Sequence, residues 1–318
     1  MNYRVLRSML YVPADNERRV GKAFQAGADA VIVDLEDSVA VSRKVEARAG
    51  LSDLLADRDR PCAAYVRVNA MGTPNCLEDI EAAVAAGADG ISLPMVEQSA
   101  ELHAVSWLLG QLERKHGRDI GATDLLAVLE TGVGLQHATQ VLSGHPRVRH
   151  AGLGVGDLQL SLGLEVGPDE AEIWPYRRML VLACNAAGLE APLDTVYLDL
   201  KNLDGLRAAS LASKRAGFQG RRVIHPSQVE IVNEAYSPTS EELERAERIV
   251  QEFDEAEASG LASMRVGEDF VDYPIAQRAR RVLAVRDALQ HREPVLAAAP
   301  TLAPPALARR PVIRDDPA

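Results

Sequence analysis

Two carboxylates stand at the ends of apolar runs, where an unpaired acid is unusual. Glu130 closes the run 125–129 and Asp157 closes the run 151–155. If these runs are adjacent strands, both acids come to one side of a sheet end. A buried carboxylate pair is unfavourable unless a cation neutralises it. An all-oxygen site with two protein carboxylates, leaving positions for water and ligand, suits Mg2+. The alternative is two rim acids held in ion pairs, and these two residues alone do not decide between them.

Arg67 lies inside the apolar stretch Tyr65-Val66-Arg67-Val68-Asn69. An arginine is rarely buried unless paired, and its planar fork of donors matches a carboxylate or an enolate oxygen. Asp34, Glu36 and Asp37 crowd three acids into four residues. They are suited to hold Arg67 or to orient metal-bound water; at least one is equally suited to cap a following helix. Alternation puts Asp34 and Glu36 on one face if the strand persists. Gly152-Leu153-Gly154-Val155-Gly156-Asp157 imitates a dinucleotide fingerprint, but its spacing is G-x-G-x-G and Asp157 would repel a pyrophosphate. The better reading is that the glycines let backbone approach a ligand beside Asp157. His225 precedes Pro226 and is therefore extended. It is placed to donate to a substrate oxygen or act as a base, or it is a satisfied core histidine.

The elements that must carry these residues follow from periodicity. Short runs rich in Val, Ile and Leu occur at 8–12, 30–35, 63–68, 90–93, 125–129, 151–155, 195–198 and 222–224, as expected of strands buried on both faces. Helical patterns lie at about 15–26, 42–56, 75–86, 98–115, 132–143, 169–187, 202–216 and 239–257. Ala26-Gly27-Ala28-Asp29, Ala86-Gly87-Ala88-Asp89 and Ala216-Gly217-Phe218-Gln219 repeat one helix-to-strand junction. Eight such units make an α/β chain, either a (β/α)8 TIM barrel or a doubly wound open sheet. Periodicity cannot show closure. The candidate residues sit at the C-terminal strand ends, where barrel chemistry is found.

The 318 residues exceed one barrel. Residues 1–257 are read as the catalytic barrel and 258–290 as a C-terminal lid segment. Residues 291–318 hold six prolines and seven alanines and are read as a mobile tail. Lys plus Arg is 35 against 46 for Asp plus Glu, a net charge of −11 that argues against a nucleic-acid partner. Cys62, Cys76 and Cys184 have no metal or disulfide spacing, which fits reduced thiols. The N-terminal segment lacks the features of a signal peptide, and no run reaches the ~20 apolar residues of a membrane span, so a cytoplasmic protein is expected.

Six motifs in register carry a resemblance. Leu10-Tyr11-Val12-Pro13-Ala14-Asp15, Asp34-Leu35-Glu36-Asp37-Ser38-Val39, Val66-Arg67-Val68-Asn69, Glu130-Thr131, residues 154–158 and Ile224-His225-Pro226-Ser227-Gln228 are followed in order. Over about residues 7–285 the chain resembles the citrate lyase beta-subunit-like family of acyl-CoA lyases. The resemblance implies a Mg2+-dependent (β/α)8 barrel that cleaves malyl-CoA, citramalyl-CoA or citryl-type thioesters into an acyl-CoA and a small 2-keto acid. Some members run the reaction in reverse or hydrolyse the thioester. It implies metal ligands at Glu130 and Asp157 and a keto-acid or enolate contact at Arg67. It also implies CoA contacts along Tyr11, Arg18, Lys22, Ile224 and His225, with Arg18 replacing a lysine.

Relatives carry a C-terminal segment that brings an aspartate to a neighbouring subunit in a trimer or hexamer. The matching stretch here runs from Gly267 to Pro274 and makes Asp272 the candidate acid or base, with Glu268 and Asp269 in reserve. The Lys-Met pair of the family pattern is missing, which points to altered substrate size or to hydrolysis in place of cleavage.

Overall fold

The computed structural model describes residues 5–57, 59–167, 169–267 and 269–290. Parallel strands pair in chain order: β1 (Ser8–Pro13), β2 (Ala30–Asp34), β3 (Ala63–Arg67), β4 (Gly90–Leu93), β5 (Asp124–Leu129), β6 (Val148–Leu153), β7 (Leu193–Asp194) and β8 (Gly220–Val223). β8 returns to β1, with Arg221 opposite Ser8 and Arg222 opposite Met9. The sheet is therefore a closed barrel and the open doubly wound alternative is excluded.

Helices connect the strands on the outside. α1 (Glu17–Phe24) follows β1. α2 (Lys44–Ala49) and α3 (Leu51–Leu54) follow β2. α4 (Cys76–Ala85) and α5 (Ser99–Lys115) follow β3 and β4. α6 (Gly132–Gln136) and α7 (Ala138–Leu142) follow β5, and α8 (Val155–Leu162) and α9 (Trp174–Ala186) follow β6. α10 (Leu203–Ala216) follows β7, and α11 (Val229–Tyr236) and α12 (Ser240–Ala258) follow β8. Among the described residues no helix is long and apolar enough to cross a membrane.

Strand alternation sorts the core into two shells. Leu10, Val12, Val31, Val33, Val66, Leu125 and Leu129 pack outward against the helices. Met9, Ala30, Ile32, Ala63, Tyr65, Leu126, Val128 and Leu193 fill the interior. The same parity continues two residues further along each strand. It places Tyr11 above Met9, Asp34 above Ile32, Arg67 above Tyr65 and Glu130 above Val128, at the C-terminal mouth.

Three sequence expectations are corrected. The seventh strand is Leu193–Asp194, not 195–198. This strand is not an apolar run, because it contains Asp194, yet that carboxylate is fully buried. The sixth strand ends at Leu153, and Val155 begins α8, so Asp157 sits in the first turn of a helix and not on a strand. The expected strand 222–224 is shifted back to Gly220–Val223, which leaves Ile224 and His225 in the following loop. α8 and α11 had no counterpart in the periodicity, both being eight-residue helices.

Asp194 joins elements that strand pairing alone would not. Its Oδ1 accepts from Arg177 Nε of α9 at 2.9 Å, and its Oδ2 accepts from Arg221 Nη2 of β8 at 2.7 Å. Burial works to raise its pKa, but the Arg221 and Arg177 charges hold it below the usual carboxylate range. Arg177 also pairs with Glu170 at 2.8 Å and lies over the Trp174 ring.

Beyond the barrel, β9 (Ser263–Val266) and β10 (Asp269–Asp272) form an antiparallel hairpin, followed by α13 (Tyr273–Gln290). These elements share a small core with α12, built from Ile249, Phe253, Val266, Val271, Ala276 and Ala279. Lys214 of α10 ties the entry to α12 by donating to Ser237 O and Glu242. The tail 291–318 lies outside the described residues, as does Glu268.

Removing one partner from a buried ion cluster leaves unpaired charge. Asp194→Ala is expected to destabilise the protein by about 3–5 kcal/mol, read from the urea midpoint. A loss under about 1 kcal/mol would show that Arg177 and Arg221 find other partners.

Candidate active site

Arg67 is the hub of the mouth. Its Nε and Nη2 donate to the two oxygens of Asp34, each at 2.7 Å, in a two-pronged fork. Its Nη1 reaches Glu36 at 2.9 Å and Asp37 at 3.1 Å. Its guanidinium carbon lies 5.0 Å from the centre of the Tyr11 ring. Burial alone would lower the Arg67 pKa, and the hydrogen bonds and charge of Asp34 more than reverse this. The internal salt bridge and the candidate oxyanion contact are thus the same guanidinium.

The β2 strand ends at Asp34, so Glu36 reaches Arg67 from a loop. Asp34 fixes that loop by accepting the backbone N–H groups of Glu36 and Ser38. From behind, Lys44 Nζ donates to the carbonyls of Leu35 and Glu36 and to the Asn69 side chain. Asn69 is bonded in turn to Asp79, which pairs with Arg48 at 2.7 Å. Lys44, Asp79 and Arg48 were not singled out in the sequence, because each sits on a helix with ordinary spacing.

Glu130 lies just past β5 and is only 4% exposed. Its Oε1 accepts the Met95 N–H at 2.7 Å. Met95 adopts φ 54°, a conformation that a residue other than glycine rarely takes. Such backbone strain costs about 1–3 kcal/mol and is characteristic of functional sites. Across the site, Gly154 makes room: a Cβ there would fall 1.9 Å from Glu130 Oε2. Asp157 is half-buried in the first turn of α8, where the helix N-terminus favours a carboxylate.

These acids repel one another. Burial pushes Glu130 up to about 6; the Met95 N–H and the Arg222 and Arg67 charges oppose this, and Asp157 adds to it. Burial pushes Glu36 up to about 8, against the pull of Arg67 and with Asp37, Glu130 and Asp34 adding to it. Arg67 gives its fork to Asp34, which is held low, and shares only one nitrogen between Glu36 and Asp37. The donor set is hard oxygen with surplus negative charge, and it fits a divalent cation of the Mg2+ type. Among the described residues no group of three or more His, Cys, Asp or Glu side chains forms a complete metal cage. A cation here would keep positions for water or ligand.

Tyr11, Arg67, Glu36, Asp37 and Glu130 thus meet at the mouth, with Asp157 acting electrostatically on Glu130. Arg18 and Lys22 are exposed one turn apart on α1. Ile224 and His225 are exposed beyond β8, the strand beside β1. His225 Nδ1 accepts the Ser227 N–H at 3.2 Å and lies 2.8 Å from the Ser227 hydroxyl. Asp272 is not brought to the mouth of its own barrel. Its Oδ1 accepts the Ile275 N–H, and its hairpin packs on α12. Asp269 is engaged with Arg245 at 2.8 Å. Cys62, Cys76 and Cys184 are buried and form no disulfide among the described residues, and burial pushes Cys76 up to about 11 and Cys184 up to about 12, which disfavours a thiolate at these two positions.

The elevated carboxyls predict a pH dependence. Glu36 and Glu130 keep protons in the folded state that the unfolded chain releases near 4.5. Their contribution to stability is whole below that pH and is lost as pH rises through 6 and then 8. With a chelator present, the urea midpoint is expected to fall from pH 5 to 8.5, and Glu36→Gln to remove the upper part of that fall. An unchanged profile in Glu36→Gln would overturn the assignment.

Comparison with known proteins gives a family and a fold. The model of the HpcH/HpaI aldolase/citrate lyase family matches residues 7–226, and a model for a C-C bond lyase of the TIM-barrel fold matches residues 190–274. The chain is 32% identical to the citrate lyase subunit beta of Leuconostoc mesenteroides subsp. cremoris, covering 90% of this chain and 95% of that one. It is 37% identical to a (3S)-malyl-CoA thioesterase of Cereibacter sphaeroides, covering 89% and 95%. A crystal structure of CitE from Mycobacterium tuberculosis with magnesium, acetoacetate and coenzyme A matches with a TM-score of 0.72 at 30% identity, covering 89% and 98%. The chain belongs to the HpcH/HpaI aldolase/citrate lyase family.

Proposed function

We propose that the protein is a Mg2+-dependent acyl-CoA lyase that cleaves a 3-hydroxyacyl-CoA, malyl-CoA or citramalyl-CoA, to acetyl-CoA and glyoxylate or pyruvate. The observation that carries the reading is the mouth itself: a surplus of carboxylates around Glu130 faces a guanidinium fixed by Asp34. The CitE structure that resembles this chain holds magnesium, acetoacetate and coenzyme A.

Glu130 and Asp157 would hold the metal, which supplies Lewis-acid polarisation of a keto-acid carbonyl. Arg67 stabilises the oxyanion that develops as the carbon–carbon bond breaks. Glu36 and Asp37 restrict the Arg67 fork so that its position does not have to reorganise. Tyr11, Arg18, Lys22, Ile224 and His225 line the β8–β1 side, where the CoA moiety is read to lie. As the carbon–carbon bond breaks, the 3-hydroxyl gives up its proton to become the keto-acid carbonyl and the thioester enolate takes up one at carbon, so cleavage is proton-neutral overall; Asp272 of a neighbouring subunit is the acid assigned to the transfer to carbon. Phe270 and Tyr273 flank Asp272 and are exposed, at 64% and 45%, as a segment that docks on a second copy would be. A homo-oligomer, a trimer or hexamer, is part of this reading, and so is a cytoplasmic setting.

A thioesterase on the same scaffold is the second reading, favoured by the 36–37% identity to (3S)-malyl-CoA thioesterases. A citrate lyase beta chain is the third, favoured by the 31–34% relatives of that name.

The deciding assay offers malyl-CoA and citramalyl-CoA with Mg2+, traps the keto acid as its phenylhydrazone and follows free CoA with a thiol reagent. Phenylhydrazone without free CoA is the expected result. Free CoA alone makes the protein a thioesterase, and no turnover of either ester contradicts both. Glu130→Gln and Asp157→Asn are each expected to abolish Mg2+-dependent turnover, and full activity in either would remove it from the metal site. Asp272→Asn is expected to slow turnover by about 10²–10⁴-fold. Mixing it with Arg67→Met under subunit exchange should restore activity; no recovery after proven exchange would place Asp272 in cis.

A further inference from the structure

The barrel interior holds one guanidinium that the mechanism above does not use. Arg222 stands opposite Met9 in the β1–β8 register, so its side chain enters the interior among apolar residues. It is 3% exposed. Arg221, the adjacent residue, points to the other face and is neutralised by Asp194. Arg222 has no such partner. Its Nη2 donates to Leu153 O, its Nε lies 3.5 Å from Asp194 O, and its Nη1 donates to the Tyr11 hydroxyl at 3.2 Å. Among the described residues these acceptors are all neutral.

Space for this group is provided across the barrel. Gly152 is paired with Val128 and Leu193, both interior residues, and a Cβ at position 152 would lie 3.2 Å from the Arg222 guanidinium carbon. The Arg222 charge is felt at Glu130, whose pKa it lowers, but no carboxylate among the described residues hydrogen-bonds it; burying such a cation is costly, and a fold that makes room for it holds it for a reason other than packing.

The Tyr11 contact supplies that reason. A phenol has one proton to donate and lone pairs to accept. Arg222 can only donate, so it occupies a lone pair of the Tyr11 oxygen and cannot take its proton. Among the described residues no other group accepts that proton. The ring of Tyr11 meanwhile lies beneath Arg67. We infer that Arg222 is a positioning residue for Tyr11: it pins the hydroxyl oxygen from below and leaves the hydroxyl proton for an oxygen of the ligand bound beside Arg67. The ligand oxygen is a carboxylate or carbonyl oxygen of a 2-keto acid or a CoA thioester. This rests on the proposed function for the identity of the ligand, though not for the geometry.

The test is a double-mutant cycle with R222Q, Y11F and the double variant, read as kcat/KM on whichever thioester the protein turns over. R222Q is expected to lower kcat/KM by about tenfold in the native background and by less than about twofold in the Y11F background. Equal losses in both backgrounds would overturn the inference, because Arg222 would then act without Tyr11. If R222Q does not fold, Arg222→Lys runs the same cycle, with partial rescue expected from a cation that lacks the fork. A crystal structure of R222Q gives a readout independent of turnover. The Tyr11 hydroxyl should leave its place beneath Arg67 while the Arg67–Asp34 fork stays; a Tyr11 that does not move contradicts the proposal. Should no thioester be turned over, the proposed function falls and this structure alone decides the role of Arg222.

Discussion

The Arg67–Asp34 fork is the interaction on which the mouth of the barrel depends. Two parallel hydrogen bonds of 2.7 Å take up two of the guanidinium's nitrogens and fix its plane. Asp34 is held below the ordinary carboxylate range as a result. The third nitrogen is left for Glu36 and Asp37, neither of which receives a full counter-charge. The negative charge that the fork does not neutralise accumulates with Glu130 and Asp157. The proposed roles, a divalent cation held among the acids and a guanidinium facing an oxyanion, rest on this division.

The fold makes the division stable. Strand parity turns Tyr11, Asp34 and Arg67 inward at the mouth, and Glu130, the first residue past β5, follows as part of the same inward-facing layer of side chains. Loops then refine the layer: the strained Met95 N–H meets Glu130 on one side and the bare Gly154 admits it on the other. The Lys44–Asn69–Asp79–Arg48 network holds the β2 and β3 loops from behind. Asp194, buried between two arginines, anchors the short seventh strand so that the barrel closes.

Much of this was legible in the sequence, and what was not has a physical cause. Arg67 and Glu130 stood out because a charged residue in or at the end of an apolar run is improbable without a partner. The barrel strands β1 to β5 were legible because their faces are buried and their runs are mostly apolar, with the few polar residues at or near the strand ends. The seventh strand was displaced because its Asp194 is satisfied only by residues from α9 and β8, which no local window contains. Asp157 was placed on a strand because apolar character continued from β6 into α8 through Val155. Arg222 left no local signal. Adjacent arginines in a short buried strand must point to opposite faces, and only the register with Met9 shows which one enters the barrel. Asp272 was legible as a motif, but its placement away from its own barrel belongs to the packing of the hairpin on α12.

The most direct test of the account is a calorimetric titration of the metal-free protein with Mg2+ at pH 7, in two buffers of different ionisation enthalpy. The account predicts one site per chain and net release of protons, because a cation among these acids lowers the elevated pKa values of Glu36 and Glu130. It also predicts that Glu130→Gln combined with Asp157→Asn abolishes both. Mg2+ binding that survives this pair of substitutions, or that proceeds without proton release, would contradict the claim that these carboxylates form the cation site.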